Sequence, residues 1–268
     1  MNSAALKFTC NICDAVNSAA LDQLRREEPS CTNCGSTVRM RSIIQILTTE
    51  LFGQSLSISE IAPERPDIKG IGMSCWDGYA SRLAHRVAFR NTYYHQEPRL
   101  DITDIPDEMV GTLDFITSTD VFEHVAPPVS VAFDNARRLL KPDGVFVFSV
   151  PYQILPWRQR ETTEHFPNLH DFRIEGSGEQ RVLTNITRDG AIERFDQLIF
   201  HGGEGSTLEM RMFSRTSLLR ELKHAGFNQI SIYGKPLLKH GIYWPNPASV
   251  PLAARAVPGR IFARVRER

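Results

Sequence analysis

The apolar positions of the chain change period several times, and the changes mark its elements. Ile43, Ile44, Ile46, Leu47, Leu51 and Phe52 recur at helical spacing, and Gly53 follows as a stop. Apolar runs at 56–61 and 68–73 then read as strands, 76–89 as a helix and 92–95 as another strand. The sharpest unit comes next: a strand at 113–119, a helix over about 128–140, the turn Lys141-Pro142-Asp143-Gly144 and an apolar strand at 145–150. Pro128 is tolerated in a first helical turn, where its missing N–H is not needed, and Pro142 with Gly144 ends the helix. Further on, Ser214 reads as an N-cap, Leu218, Leu222 and Ala225 share one face, and Gly226 closes the helix. Residues 230–233 and 261–265 read as closing strands. Strands alternating with helices predict an α/β fold built on a parallel sheet.

One stretch breaks the alternation. Residues 152–212 are rich in His, Glu and Arg, with alternating patches at 181–187 and 192–200. They read as an inserted cap, a small antiparallel sheet placed where the carboxyl ends of strands bind ligands. Ahead of the main domain, Cys10-x-x-Cys13 and Cys31-x-x-Cys34 have the spacing of a four-thiolate zinc site. Gly35 suits the tight turn after the second pair. Such a site has no open coordination position, so zinc here folds the segment and does no chemistry. The expected organisation is a zinc ribbon at 1–41, a linking helix at 42–55, and a main domain at 56–268 carrying the cap.

Composition narrows the setting. Lys plus Arg and Asp plus Glu number 31 each, so no global field favours nucleic acid or an anionic membrane. No leader pattern and no run of about eighteen apolar residues is present, and Cys75 has no partner in the zinc scheme. These features point to a reducing, cytoplasmic setting with no membrane partner.

The segment Leu113-Asp114-Phe115-Ile116-Thr117-Ser118-Thr119-Asp120-Val121-Phe122-Glu123-His124-Val125, followed by Arg138-Leu139-Leu140-Lys141-Pro142-Asp143-Gly144 and Val150-Pro151, resembles the class I S-adenosylmethionine-dependent methyltransferases, type 11-like. It is similar to their fourth strand, their Glu-His-Val turn, and their helix, turn and fifth strand. The resemblance covers about 57–150 and, more loosely, 213 to the end. It implies a Rossmann-like methyltransferase sheet and S-adenosylmethionine as cofactor. It also implies that Asp101 accepts the adenine amino hydrogen, that Ile102 lies against the ring, and that Asp120 lines the cofactor site at the end of the fourth strand. A carboxylate can read the donor edge of adenine and an aliphatic side chain can cover its face; the alternative role for Asp101 is to cap a turn.

The family's first motif, an acidic residue and a Gly-x-Gly loop after strand one, has two candidate registers. One uses Ser59-Glu60-Ile61-Ala62-Pro63-Glu64, with Glu60 holding the loop or the methionine ammonium, Ala62 letting the cofactor approach, and Ser74, Cys75 and Asp77 ending strand two. The other uses Gly70-Ile71-Gly72-Met73-Ser74, with Glu97 as the ribose acid. The first is preferred. Glu123 and His124 would sit at the mouth beyond strand four as catalytic groups, since histidine takes a proton near neutral pH; both could instead hold the turn by hydrogen bonds. The cap adds Glu164, His165, His170, Asp171, His201, Glu209 and Arg211 as polar candidates, and a glycine-rich loop at 201–205 that could cover a ligand. His165 and His170 could bind a second metal, while Tyr152, Trp157 and Phe166 read as core.

The functional expectation is methyl transfer to an oxygen or nitrogen nucleophile of a polar small molecule or glycan. A non-catalytic zinc-ribbon module on a degenerate fold is the alternative. So is an RNA methyltransferase, favoured by Arg25, Arg26, Arg39 and Arg41 and opposed by the neutral charge. A nicotinamide enzyme lacks its Gly-x-Gly-x-x-Gly here. Oligomeric state is left open.

Overall fold

A computed structural model describes residues 5–154, 161–201, 207–257 and 264–268. Trp157 and most of the 201–205 loop lie outside the described residues, as does the start of the strand expected at 261–265.

The chain opens with a hairpin, β1 (Leu6–Thr9) against β2 (Val16–Ala19). Helix α1 (Val38–Phe52) follows; Thr37 caps it, accepting from the Met40 amide, and Gly53 ends it in the left-handed conformation at φ 75°. Then come β3 (Arg65–Met73), α2 (Asp77–Ala84), β4 (Val87–Thr92), β5 (Leu113–Thr119), α3 (Ser130–Leu139) and β6 (Leu140–Ser149). The cap region holds β7 (Tyr152–Gln153), β8 (Thr163–Glu164), β9 (Asp171–Glu175), β10 (Val182–Ile186), β11 (Ile192–Phe195) and β12 (Arg211–Ser214). The chain ends with α4 (Arg215–His224), β13 (Gln229–Ile232), β14 (Leu252–Arg255) and β15 (Arg264–Glu267).

The main sheet has seven strands in the order β15-β13-β14-β6-β5-β3-β4, with only β14 antiparallel to its neighbours. Val145, Phe146, Val147 and Phe148 on β6 are all fully buried, as a central strand covered on both faces requires. Phe146 and Phe148 join α3 and α4 through Phe133, Ala136, Leu218 and Leu222; Val145 and Val147 join α1 through Ile43, Ile44 and Leu47. The cap residues form the expected antiparallel sheet, β11-β10-β9, and β12 is flanked by β7 and β8.

Three expectations need correction. Residues 56–61 are not a strand. Ile58–Glu60 is a 3-10 turn, because the Glu60 carboxylate accepts the Ser57 amide at 2.6 Å and that reciprocal cap beats an extended backbone. The helix after β3 stops at Ala84, and β4 begins at Val87, where Val87 and Phe89 alternate inward on the period of a strand. Lys141 to Gly144 belongs to β6, a register irregularity between Leu113 and Phe115 absorbing the extra residues.

From β3 the chain runs outward to β4, then crosses back to β5 on the other side of β3. Strand order therefore reverses between β3 and β5. The carboxyl ends of these two strands flank the crevice where open parallel sheets bind ligands.

Candidate functional site

Two residues that are not glycine adopt positive φ at the rims of this crevice: Ser74 (50°), right after β3, and Asp120 (54°), right after β5. Backbone held in this region costs free energy and clusters at functional sites. The β3 loop is clamped from β4. Asn91 accepts the Cys75 amide at 3.0 Å and donates to the Cys75 carbonyl at 2.8 Å and the Tyr93 hydroxyl at 3.0 Å. A side-chain amide thus holds a turn for which the first motif ordinarily relies on glycines.

The preferred register of that motif needs a strand ending near Ile61, and there is none: the strand that runs between β4 and β5 is β3, so the segment at its carboxyl end is Gly70 to Ser74, the other register. Glu60 caps its own turn, and Ala62 is exposed just before the amino end of β3, away from the crevice. Gly72 sits inside the strand; a Cβ there would meet Phe89, Cys75 and Asn91 at 2.6–2.8 Å, so it serves packing and not cofactor approach. Ile102 is buried in the core, its carbonyl accepting from Asn135. Asp101 Oδ1 accepts the Thr103 amide and hydroxyl at 2.9 and 2.7 Å, the capping role.

Beyond β5, Phe122–His124 is a 3-10 turn braced from the cap. Fully buried Arg211 donates to the Phe122 and Val125 carbonyls at 2.9 and 2.6 Å and to Glu164 at 2.7 Å. The Met210 amide donates to the Glu123 carbonyl, and His124 Nδ1 lies 2.9 Å from the Leu208 carbonyl. A carbonyl only accepts, so Nδ1 carries the proton and Nε2 keeps its lone pair. Burial, with His201 nearby, holds the His124 pKa below its ordinary value. Glu123 is buried and Oε2 has no partner; burial first, and Asp120 next, push its pKa well above the carboxylate range. Burial thus favours its protonated form. The 3.8 Å between His124 Nε2 and Glu123 Oε1 is too long for a hydrogen bond.

The cap completes the cluster. Buried Glu209 accepts from His165 Nε2 at 2.9 Å and His201 Nε2 at 2.7 Å, and the His201 ring stands 5.6 Å from that of His124. The His170 amide donates to Asn185 Oδ1. A groove of about 510 Å3 runs from Pro127 and Pro128 to the cap sheet, lined there by Asn168, Arg188 and Glu193.

Asp120 also meets the ribbon. Its Oδ1 is 2.7 Å from Arg26 Nη2 and 3.2 Å from Ser149 Oγ, and its Oδ2 is 3.4 Å from Arg39 Nε. Within the ribbon, Cys10, Cys13, Cys31 and Cys34 place their sulfurs within 4.8 Å of one another, with separations of 3.8 and 3.6 Å across the two knuckles. Four thiolates at zinc–sulfur distances of about 2.3 Å in a tetrahedron stand about 3.8 Å apart, so the donor set fits that ion. Buried Arg41 lies beside it; burial lowers its pKa while charge on the four cysteines opposes this, a cation matched to a doubly negative tetrathiolate centre.

Residues 52–232 match the model of the methyltransferase domain family. The chain belongs to that family. It is accordingly an enzyme of methyl transfer, and the crevice between β3 and β5 is its candidate active site. No curated protein matches the chain. Similar solved structures include the citrinin polyketide synthase CMeT domain (13% identity, 71% of this chain and 46% of that one, TM-score 0.41). Others are an S-adenosylmethionine-dependent methyltransferase from Clostridium acetobutylicum (14%, 69% and 82%, 0.40) and the Burkholderia thailandensis 1,6-didemethyltoxoflavin-N1-methyltransferase (15%, 81% and 78%, 0.43). The chain thus spans under half the length of the first of these. Among the described residues, no helix of this methyltransferase is long and apolar enough to cross a membrane.

The sequence did not reveal three contributors to the site: Asn91, the Leu208 carbonyl, and the reach of Arg26 and Arg39 to Asp120. The only linear signal for the first was a polar side chain facing half inward on an otherwise alternating strand.

Proposed function

We propose that the chain moves the methyl group of S-adenosylmethionine to an oxygen or nitrogen nucleophile on a polar small molecule or glycan. The observation that carries this reading is His124 in the turn after the carboxyl end of β5, its Nδ1 engaged by the Leu208 carbonyl and its Nε2 lone pair free. When bound, the cofactor supplies an electrophilic methyl carbon whose bond to sulfur breaks as the bond to the acceptor forms. His124 Nε2 takes the proton that the acceptor hydroxyl or amine releases. Glu123, unpaired at Oε2 and with its protonated form favoured by burial, offers a hydrogen bond within the same crevice. Glu209 holds His165 and His201, the latter with its ring 5.6 Å from that of His124.

The residues fit the cofactor's chemistry. Ser74 and Asp120 offer polar groups at the crevice rim, Asp101 Oδ2 an acceptor for the adenine amine, and Glu123 Oε2 and Arg26 Nε are buried polar atoms without a partner. Zinc on the four cysteines holds the ribbon and takes no part in the reaction. RNA is not the expected acceptor.

The test is transfer of a labelled methyl from S-adenosylmethionine to three pools: hydroxylated and amino small molecules, glycans, and RNA. Label in either of the first two, lost in His124→Gln, is expected. Label confined to RNA overturns the acceptor class, and no binding of S-adenosylhomocysteine by the folded protein overturns the donor.

A further inference from the structure

The donor proposed above ends in an α-amino acid, a zwitterion that needs an acceptor for its ammonium and a donor for its carboxylate side by side. The crevice offers such a pair, and half of it comes from the ribbon. Asp120 projects from the end of β5, while Arg26, from the loop before the second knuckle, and Arg39, from the first turn of α1, converge on it. The two arginines share Glu27: Arg39 grips it with Nε at 2.9 Å and Nη2 at 2.6 Å, and Arg26 Nη1 also contacts it. Their side chains are only 22% and 15% exposed, far below what surface arginines show. Arg26 Nε is buried with no hydrogen-bond partner, an unused donor on the same guanidinium that contacts Asp120.

On the basis of that donor reading, we propose that Arg26 and Arg39 bind the amino-acid carboxylate of the cofactor while Asp120 receives its ammonium, so that the zinc ribbon is part of the cofactor site. The backbone strain at Asp120 supports this placement, because it fixes the carboxylate where both arginines reach it. Guanidinium forks match a carboxylate bidentately, and charge-assisted bonds in a half-buried site are the strong ones. The ribbon would then complete the active site from the outside, and its arginines, which otherwise read as a nucleic-acid patch, have an anionic ligand inside the protein's own crevice.

The experiment compares two ligands by calorimetry on the zinc-loaded protein. S-adenosylhomocysteine carries the amino-acid end; 5′-methylthioadenosine lacks it and keeps the adenosine. Arg26→Gln and Arg39→Gln, made separately because they lie on different elements, are each expected to weaken S-adenosylhomocysteine about ten- to a hundred-fold. Binding of 5′-methylthioadenosine should stay within about twofold, which also shows that each variant is folded. Unchanged affinity for S-adenosylhomocysteine in both variants overturns the proposal while leaving the donor reading in place. So does an equal loss of both ligands in the two variants, since that marks a structural role alone. If the folded wild type binds neither ligand, the donor reading fails and the proposal with it.

Discussion

Arg211 is the most exacting test of how the cap supports the candidate site. Its guanidinium is fully buried and spends three hydrogen bonds on two segments: the Phe122 and Val125 carbonyls of one turn and the Glu164 carboxylate. Arg211→Met keeps much of the stem volume and removes all three donors. Two buried carbonyls and a carboxylate that is 30% exposed are left without their partner. Breaking one side of a buried ion pair costs about 3–5 kcal/mol, and each orphaned carbonyl adds about 1 kcal/mol or more, partly relieved by water. A loss of about 4 kcal/mol is expected, a large part of the ~5–15 kcal/mol that holds a typical domain. With a urea slope of about 3 kcal/mol/M, the midpoint falls by about 1.3 M. Glu164→Gln alone should cost less, and the double variant should fall short of the sum by about 1–3 kcal/mol because the two share one interaction. Methyl transfer should fall along with stability, since the braced turn carries Glu123 and His124. A midpoint shift worth under about 1 kcal/mol, or strict additivity with Glu164→Gln, would refute the reading of Arg211 as the brace of that turn.

Other outcomes follow from the same geometry. If His124 is the base, the acid limb of the rate profile lies below pH 6.5, because burial lowers its pKa, and His124→Gln abolishes that limb; a limb that persists in the variant moves the role to another group. The stability sign agrees: the unfolded chain takes the proton first, so this histidine's contribution is complete above about pH 6.5 and is lost as pH falls through its lower folded pKa, as urea midpoints at pH 5 and 7.5 can show. Asn91→Ala removes two hydrogen bonds from the loop after β3 and one to Tyr93, and should cost about 1–3 kcal/mol while weakening S-adenosylhomocysteine; a melting temperature unchanged from wild type speaks against the clamp. Chelation should release one zinc per chain, expose four titratable thiols and weaken S-adenosylhomocysteine binding; retention of full affinity after zinc loss would separate the ribbon from the crevice.

How much of this was legible beforehand depended on how local each determinant was. The unit from β5 to β6 could be read directly because burial there follows the apolar pattern strand by strand, and the knuckles because two Cys-x-x-Cys turns encode their own geometry. The first motif misled because its glycine requirement had been transferred to a side chain: once Asn91 on β4 holds the loop, the turn after β3 no longer needs the pattern that identifies it. Residues 56–61 misled for the opposite reason. Their apolar run is strand-like, yet Ser57 and Glu60 satisfy each other locally and the backbone follows the shorter-range bond.

The site itself was half visible, and the hidden half follows one rule. Glu123 and His124 lie on a single turn, so their proximity was given by sequence; the partners that set their protonation come from Leu208, Glu209 and the ribbon, far along the chain. Arg26 is 94 positions from Asp120 and no periodicity links them. The basic residues near the knuckles favoured a nucleic-acid reading that the neutral charge of the chain opposed. The fold turns two of those residues inward onto a carboxylate at the switch point, where opposite charges side by side suit a zwitterion better than a phosphate backbone. A polyanion would be repelled by Asp120 and Glu27 at that place, so raising the salt concentration should leave the wild type's affinity for S-adenosylhomocysteine nearly constant, whereas a nucleic-acid surface would lose affinity steeply.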